Sequence, residues 1–359
     1  MLLSLFCGVG GLDWGFENQG FEVGLALDKN SDSIKSYNHN RPQNPVGQVT
    51  DISELTVEQL DELYGGRFTP VGVIGGPPCQ SFSQANRSPL EDDPRHELPL
   101  SYARLLGQLN ERSPIHFFVL ENVTGLSMPP HTERFSSIMR SFEAAGFVVA
   151  QRVLNSNDYR VPQTRERLIL VGFNREIYQG LEWSSPPISP GSRPTVRSAI
   201  EGFPEPVHFR RGLNRADMPF HPNHWCMAPK SSKFSTKDAL KPGKTGPRSF
   251  KTLSWDKPSI TVAYGNREVH IHPNCRRRLS VFEAMRLQGF PLDYELLGTL
   301  SDQIRQVSEA VPPPVSDVIA ASIREQLTNY LAREGVETAR PHPATMPVQR
   351  GNAVAALAL

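Results

Sequence analysis

The chain is poor in cysteine, with four in 359 residues, at positions 7, 79, 226 and 275. They are too few and too scattered for a disulfide framework, and no Cys-x-x-Cys pair offers a metal centre. No metal site is expected, and a reducing cytoplasm is the expected setting. Long apolar runs are missing as well. Nothing approaches the roughly 18 consecutive apolar residues of a membrane span. The opening MLLSLFCGVGG has no basic residue ahead of its short apolar stretch, so it reads as a buried strand and not as a secretory signal. Charge of one sign is absent too: 38 Lys and Arg face 37 Asp and Glu, a balance that by itself argues neither for nor against a polyanionic partner. No useful internal repeat occurs. What is there is an ordinary globular composition, 38% hydrophobic and 21% charged, long enough for two domains or one large domain with an insertion.

The even charge balance hides an asymmetry. Residues 174–260 hold 14 Lys and Arg against 7 Asp and Glu, together with 12 of the 32 prolines. A basic, proline-broken segment inside a balanced chain suits an insertion that contacts phosphates, although a solvated loop region has the same composition. Ahead of it the pattern is regular. Strands are expected at 2–6, 21–27, 71–74, 117–120, 148–154 and 167–171, with helices at 12–19, 32–38, 102–110 and 135–145. This alternation predicts an α/β fold, a parallel or mostly parallel sheet with helices on both faces and ligands at the carboxyl ends of the strands. From about 181 the prolines preclude long helices. Helical periodicity returns at 281–287 and 315–326, and the Ala, Pro and Thr-rich tail is expected to be loosely held.

Four short stretches carry chemistry. Phe6-Cys7-Gly8-Val9-Gly10-Gly11 sits between a strand and a helix, where glycines permit a tight turn and close approach of a ligand to main-chain N–H groups; a purely structural turn would look similar. Its spacing is not that of a dinucleotide site. Asp28 closes the second strand, where a carboxylate can accept from ribose hydroxyls, and Asp51-Ile52 could serve an adenine ring. Gly75-Gly76-Pro77-Pro78-Cys79-Gln80-Ser81 follows a strand, so Cys79 is presented on a stiffened loop; as a nucleophile it would need a lowered thiol pKa or a nearby base. Glu121-Asn122-Val123 ends another strand and places a carboxylate suited to a heterocycle nitrogen, or to a helix cap. Finally, Gln163-Thr164-Arg165-Glu166-Arg167 puts two arginines at i and i+2, on one side of an extended segment, able to hold phosphate or to pair with acids.

Taken in order, LFCGVGGLDWGF, Asp28, Asp51-Ile52, GGPPCQSFS, ENV, QTRERL, RRRLSVFEAMRLQGFP and QVSEAVPPPVSDVIAASI resemble the DNA (cytosine-5) methyltransferase family, across about nine-tenths of the chain. The resemblance implies a Rossmann-like S-adenosylmethionine-dependent methyltransferase domain with a mixed sheet, over 1–180 with 301–330. It also implies a smaller irregular target-recognition domain over 181–300, ahead of a flexible tail at 331–359. Cys79 would attack C6 of a flipped cytosine, Glu121 would hold N3, and Arg165 and Arg167 would contact the base and backbone. Phe6, Gly8, Gly10, Gly11, Leu12, Asp28, Lys29, Asp51, Ile52 and Pro77 would border S-adenosylmethionine. Gln80, Ser81, Arg210, Arg211, Lys230, Lys233, Lys241 and Lys244 would face DNA, and Arg278 would support the recognition domain. The implied partners are duplex DNA and a separately encoded restriction endonuclease, for a monomer without membrane attachment in the cytoplasm, associated with the nucleoid. An orphan or phage-borne enzyme, a relative that binds DNA without turnover, and an RNA-directed enzyme are the alternatives.

The chain departs from the family pattern at several places. Ser4 stands where an acidic residue is usual, Lys29 where a large apolar residue covers the adenine, Thr50 for a common glycine, and Ser308-Glu309 for Gly-Asn before Ala-Val-Pro. An intact Gly351-Asn352-Ala353-Val354 recurs in the tail without the prolines.

Overall fold

The computed structural model describes residues 1–78, 94–244, 250–261 and 270–335. Cys79, Gln80, Ser81 and the tail repeat at 351–354 lie outside the described residues.

In chain order the elements are β1 (Leu2–Leu5), α1 (Gly11–Asn18), β2 (Val23–Asp28), α2 (Ser31–His39), β3 (Gly47–Val49), α3 (Val57–Tyr64), β4 (Gly72–Gly75), α4 (Leu98–Arg112), β5 (Phe117–Asn122), α5 (Thr132–Ala144), β6 (Phe147–Asn155), β7 (Gln163–Thr164) and β8 (Glu166–Asn174). There follow α6 (Val196–Ile200), β9 (Val207–His208), β10 (Trp225–Cys226), β11 (Ser259–Ile260), α7 (Val281–Leu287), α8 (Leu300–Glu309) and α9 (Pro313–Arg333). Seven strands form one sheet in the order β3-β2-β1-β4-β5-β8-β6. β1 pairs in parallel with β2 and β4, and β4 with β5, whereas β8 runs antiparallel to both β5 and β6. β1, β4 and β5 are buried at every position, as strands covered on two faces must be. The expected α/β class therefore stands, as a mixed sheet.

Helices cover both faces. Tyr102, Leu106, Ile138 and Phe142 of α4 and α5 join Leu3, Leu5, Phe118 and Leu120 on one side. On the other, Leu12 and Phe16 of α1 and Ile319 and Ile323 of α9 pack on Leu2, Ile74, Phe117 and Val119. Helices α3 and α8 were not expected from the sequence. α3 buries only Val57 and Leu60, too few for visible periodicity, although Thr56 and Gln59 form a capping box at its start. α8 begins on a similar box, Thr299 with Asp302.

α1 and α9 approach to backbone contact. A Cβ built on Gly15 would lie 2.2 Å from Asp317 N and 2.3 Å from the Ser316 carbonyl carbon. Gly15→Ala should therefore destabilise the fold by about 2–3 kcal/mol. Overpacking against main chain outweighs the roughly 0.5–1 kcal/mol that alanine gains inside a helix. Thermal and urea unfolding would measure it, and an unchanged or raised midpoint would show that the two helices can part freely.

A third cluster joins Val196 and Ile200 of α6, Trp225, Leu253, four α7 residues and Leu300, Ile304 and Val307 of α8. Val9, from the loop after β1, belongs to it as well, so the irregular region and the glycine loop share a core. Arg277 braces this region through a two-fold bond to the fully buried Glu283, at 2.9 Å on each arm. Glu283 meanwhile caps α7 with Ser280. Arg278, also buried, lies over the rings of Phe234 and Phe250. Among the described residues no helix is long and apolar enough to cross a membrane.

Candidate active site

The strand order reverses between β1 and β4, because β2 and β3 lie to one side and β5, β8 and β6 to the other. In open α/β sheets the crevice at such a reversal is where ligands bind, beyond the carboxyl ends of the strands. Here the two loops that leave those ends are the glycine loop after β1 and Gly76-Pro77-Pro78 after β4. Between them opens a cavity of about 1160 Å³.

One wall is the glycine loop. Phe6 has φ +55°, Gly8 +54° and Gly10 +82°, so the chain turns through three left-handed residues within five positions. For Phe6 that conformation is strained, and strain of this kind persists where the surroundings over-determine it. The loop is tied to the end of β2 through Asp28, whose carboxylate accepts from Gly8 N–H at 3.0 Å and Asn30 N–H at 2.7 Å. Burial pushes the Asp28 carboxyl above its ordinary value, and these two bonds oppose that. Asp51 is held by the backbone N–H and hydroxyl of Ser53, which lower its pKa.

The expected cofactor residues Phe6, Gly8, Gly11, Leu12, Asp28, Lys29, Asp51, Ile52 and Pro77 line the cavity. Gly10 does not. Its α-carbon faces Arg41 and Tyr37, whose atoms a Cβ would meet at 2.7–2.8 Å. Its role in this structure is to begin α1 in a left-handed turn.

The opposite wall carries the acid and the two arginines. Glu121 and Arg167 occupy diagonal positions on the antiparallel β5 and β8, since Glu121 pairs with Ile169. Arg167 Nε lies 2.9 Å from Glu121 Oε1. Arg165 is 2% exposed and donates from Nη1 to the Ser308 carbonyl at 3.0 Å, which brings the end of α8 to the cavity. Ser308 and Glu309, the departure noted in the sequence, line it too. Asn122 Nδ2 donates to the Pro77 carbonyl at 3.2 Å, and a Cβ on Gly76 would sit 3.2 Å from Glu121 Oε2. The segment leading to Cys79 thus passes against Glu121.

Four charged wall residues were not singled out in the sequence: Asp13, Arg95, Asp302 and Arg305. The signal available for Asp13 was an acid among apolar and glycine neighbours in the first turn of a helix, with Gly11, Leu12, Gly15 and Phe16 all buried. Arg305 arrives on a helix that the sequence pattern did not reveal.

Burial pushes the Cys7 thiol well up, Cys226 up to about 12, and Cys275 up. Arg210, Arg211, Lys230, Lys233, Lys241 and Lys244 are exposed on the irregular region and stand away from the cavity. Lys233 sits 4.5 Å from the Phe250 ring centre.

A family model, the C-5 cytosine-specific DNA methylase, matches residues 1–325. The chain belongs to that family. Among curated members it is 31% identical over 352 residues to type II methyltransferase M.FnuDI of Fusobacterium nucleatum, covering 91% of this chain and 95% of that enzyme. It is also 31% identical to M.NmeDI of Neisseria meningitidis serogroup C, over 93% of this chain and 85% of that one. Among solved structures, a protein assigned as a DNA modification methyltransferase encoded within an E. coli prophage superposes with a TM-score of 0.75 at 22% identity, over 91% of this chain and 99% of that one. The Dnmt2 methyltransferase of S. pombe superposes with a TM-score of 0.59 at 17% identity, over 94% and 99%. At these identities the two structures speak for the fold, and membership of the cytosine-5 DNA methyltransferases rests on the family match and the curated enzymes.

Proposed function

We propose that this methyltransferase transfers a methyl group from S-adenosylmethionine to C5 of a flipped-out cytosine in one short duplex DNA sequence, through a transient bond between Cys79 and C6. Its biological setting is host-DNA protection beside a restriction endonuclease, or orphan or phage-borne methylation. The observation that carries this reading is that one cavity has the glycine loop with Asp28 and Asp51 on one wall and Glu121 with Arg165 and Arg167 on the other.

The residues fit S-adenosylmethionine. The volume exceeds the roughly 300–1,000 Å³ of ordinary ligand pockets, leaving room for a nucleoside, its amino-acid arm and an inserted base. Ile52 and Leu98 offer apolar wall, Asp28 and Asp51 offer acceptors, and a buried carboxylate oxygen on Asp13 has no hydrogen-bond partner among the described residues. When bound, the cofactor supplies an electrophilic methyl group on a sulfonium. Cytosine C5 is too weak a nucleophile to take it unaided. Addition of the Cys79 thiolate to C6 forms the S–C6 bond and moves the C5–C6 π electrons toward C5 and the N3 side of the ring. Glu121 holds or protonates N3 there, and Arg167, paired with Glu121, keeps that carboxylate in place. Once C5 has been methylated, loss of its proton returns an electron pair to the ring and expels Cys79, giving 5-methylcytosine. A stacked base cannot reach such a cavity, so the cytosine leaves the duplex. The exposed Lys and Arg of the irregular region contact phosphate, and a few of its side chains read base edges.

The test is base-resolution mapping of 5-methylcytosine in DNA from a methylation-free host that expresses the chain. The expected result is methylation confined to one short sequence. Abundant folded protein with no methylation anywhere would favour a DNA-binding relative without turnover.

A further inference from the structure

We propose that Asp13 holds the α-ammonium group of S-adenosylmethionine, supplying from α1 the carboxylate that position 4 lacks; this rests on the cofactor reading above. Ser4 and Asp13 are both fully buried, and both line the cavity. Asp13 Oδ1 accepts from the Tyr37 hydroxyl at 3.0 Å. Oδ2 has no hydrogen-bond partner among the described residues, and neither has the Ser4 hydroxyl. A buried carboxylate whose described side-chain neighbours in contact are hydroxyls is costly, so the site as it stands lacks a charged partner in contact.

The nearest cation does not complete it. Arg41 is engaged elsewhere, donating from Nε to Glu17 at 2.8 Å, from Nη2 to the Gly10 carbonyl at 3.1 Å, and from Nη1 to the Tyr294 hydroxyl at 3.3 Å. The Ser4 hydroxyl, near enough to pull the Asp13 carboxyl down, is neutral, so a charged partner in contact with Asp13 has to come from the cavity. Of the two cationic centres on the cofactor, the sulfonium has no N–H, whereas the ammonium carries three donors and a full charge, the stronger kind of hydrogen-bond partner. The departure at position 4 then costs the site no charge, because the carboxylate has moved from β1 to the facing turn of α1.

The pH dependence has a definite sign. Burial raises the Asp13 carboxyl to about 6, with Arg41, Ser4 and Tyr37 pulling it down and Glu17 pushing it up. Tyr294, beside Arg41, Tyr37 and the Cys7 thiol all feel the Asp13 charge, and burial pushes all three groups upward, away from the range where Asp13 titrates. Asp28, across the glycine loop, is raised as well. A bound ammonium favours the ionised carboxylate, so affinity is full above about pH 6 and declines below it as Asp13 takes a proton.

Calorimetric titration of the full chain with S-adenosylmethionine and with its des-amino analogue tests this. The wild type should prefer the parent ligand by about 10–100-fold, the range of a hydrogen-bonded charge. Asp13→Asn should lose that preference while binding the analogue as the wild type does, and the exchange Ser4→Asp with Asp13→Ser should restore it. An equal loss for both ligands in Asp13→Asn would overturn the proposal, marking Asp13 as a support for Tyr37. If that variant fails to fold, the wild-type pH profiles decide. Only the ligand that carries the ammonium should weaken below about pH 6, and parallel profiles would overturn the proposal. Failure of the wild type to bind either ligand would instead remove the cofactor reading itself.

Discussion

Cys79→Ser should reduce methyl transfer by about 10⁴-fold or more, the scale on which removing a covalent nucleophile acts. Thiols ionise far more readily than hydroxyls near neutral pH and are intrinsically better nucleophiles, so serine at this position cannot add to C6 at a useful rate. No described cysteine can substitute, since burial raises the thiols of Cys7, Cys226 and Cys275. The folded state should be unaffected, because β4 and the Pro77 carbonyl contact to Asn122 precede the substitution. DNA binding should persist as well. Mapping 5-methylcytosine in parallel for wild type and variant gives the readout, together with trapping on duplex DNA whose target cytosine carries fluorine at C5. The wild type should form a stable adduct through Cys79, and the variant none. A variant that kept even a tenth of the activity would rule out the covalent route.

Glu121→Gln is expected to cost about 10³-fold in turnover, within the range of a positioned proton donor, with a smaller effect on stability. Two effects combine. The amide cannot protonate N3, and Arg167 loses the opposite charge 2.9 Å from its Nε. The side chains are 10% and 17% exposed, so their pair is nearly enclosed. Breaking a fully buried pair costs about 3–5 kcal/mol; the cavity keeps some water on both groups here, and about 1–3 kcal/mol is expected. A double variant, Glu121→Gln with Arg167→Met, separates the contributions. It should recover stability, because no buried charge is left unpaired, and it should remain inactive. If the double variant regained turnover, Glu121 would be a structural partner of Arg167 and not a participant in chemistry. The same experiment bears on Arg167, whose sequence offered either phosphate binding or pairing with an acid; the fold has it paired with Glu121.

Much of this was legible in the residues themselves. β1, β4 and β5 read as continuous apolar runs because both faces of the sheet centre are covered, and Gly8 and the Pro77-Pro78 pair marked the loops that leave their carboxyl ends. Arg165 and Arg167, two apart, were expected on one side, and both reach the same cavity. Other features were not legible for identifiable reasons. α3 hides because eight residues with two buried apolar side chains make no stripe. Gly10 matched a cofactor motif by position, yet its free side is occupied by Arg41 and Tyr37, contacts made by residues about thirty positions away.

By itself the sequence determined the α/β class, the family, and the order of the residues that carry chemistry, because hydrophobic periodicity and motif spacing are local properties. Only the tertiary structure decided which distant segments share a wall. It set Ser308 against Arg165, brought Arg305 and Glu309 to the cavity that the glycine loop lines, and placed Asp13 and Ser4 together on its wall. The first two bring residues 301–311 back against segments from the first half of the chain. They exist because α8 and α9 pack back onto α1 and α2, and a pattern of buried positions along one helix does not say which other helix will bury them.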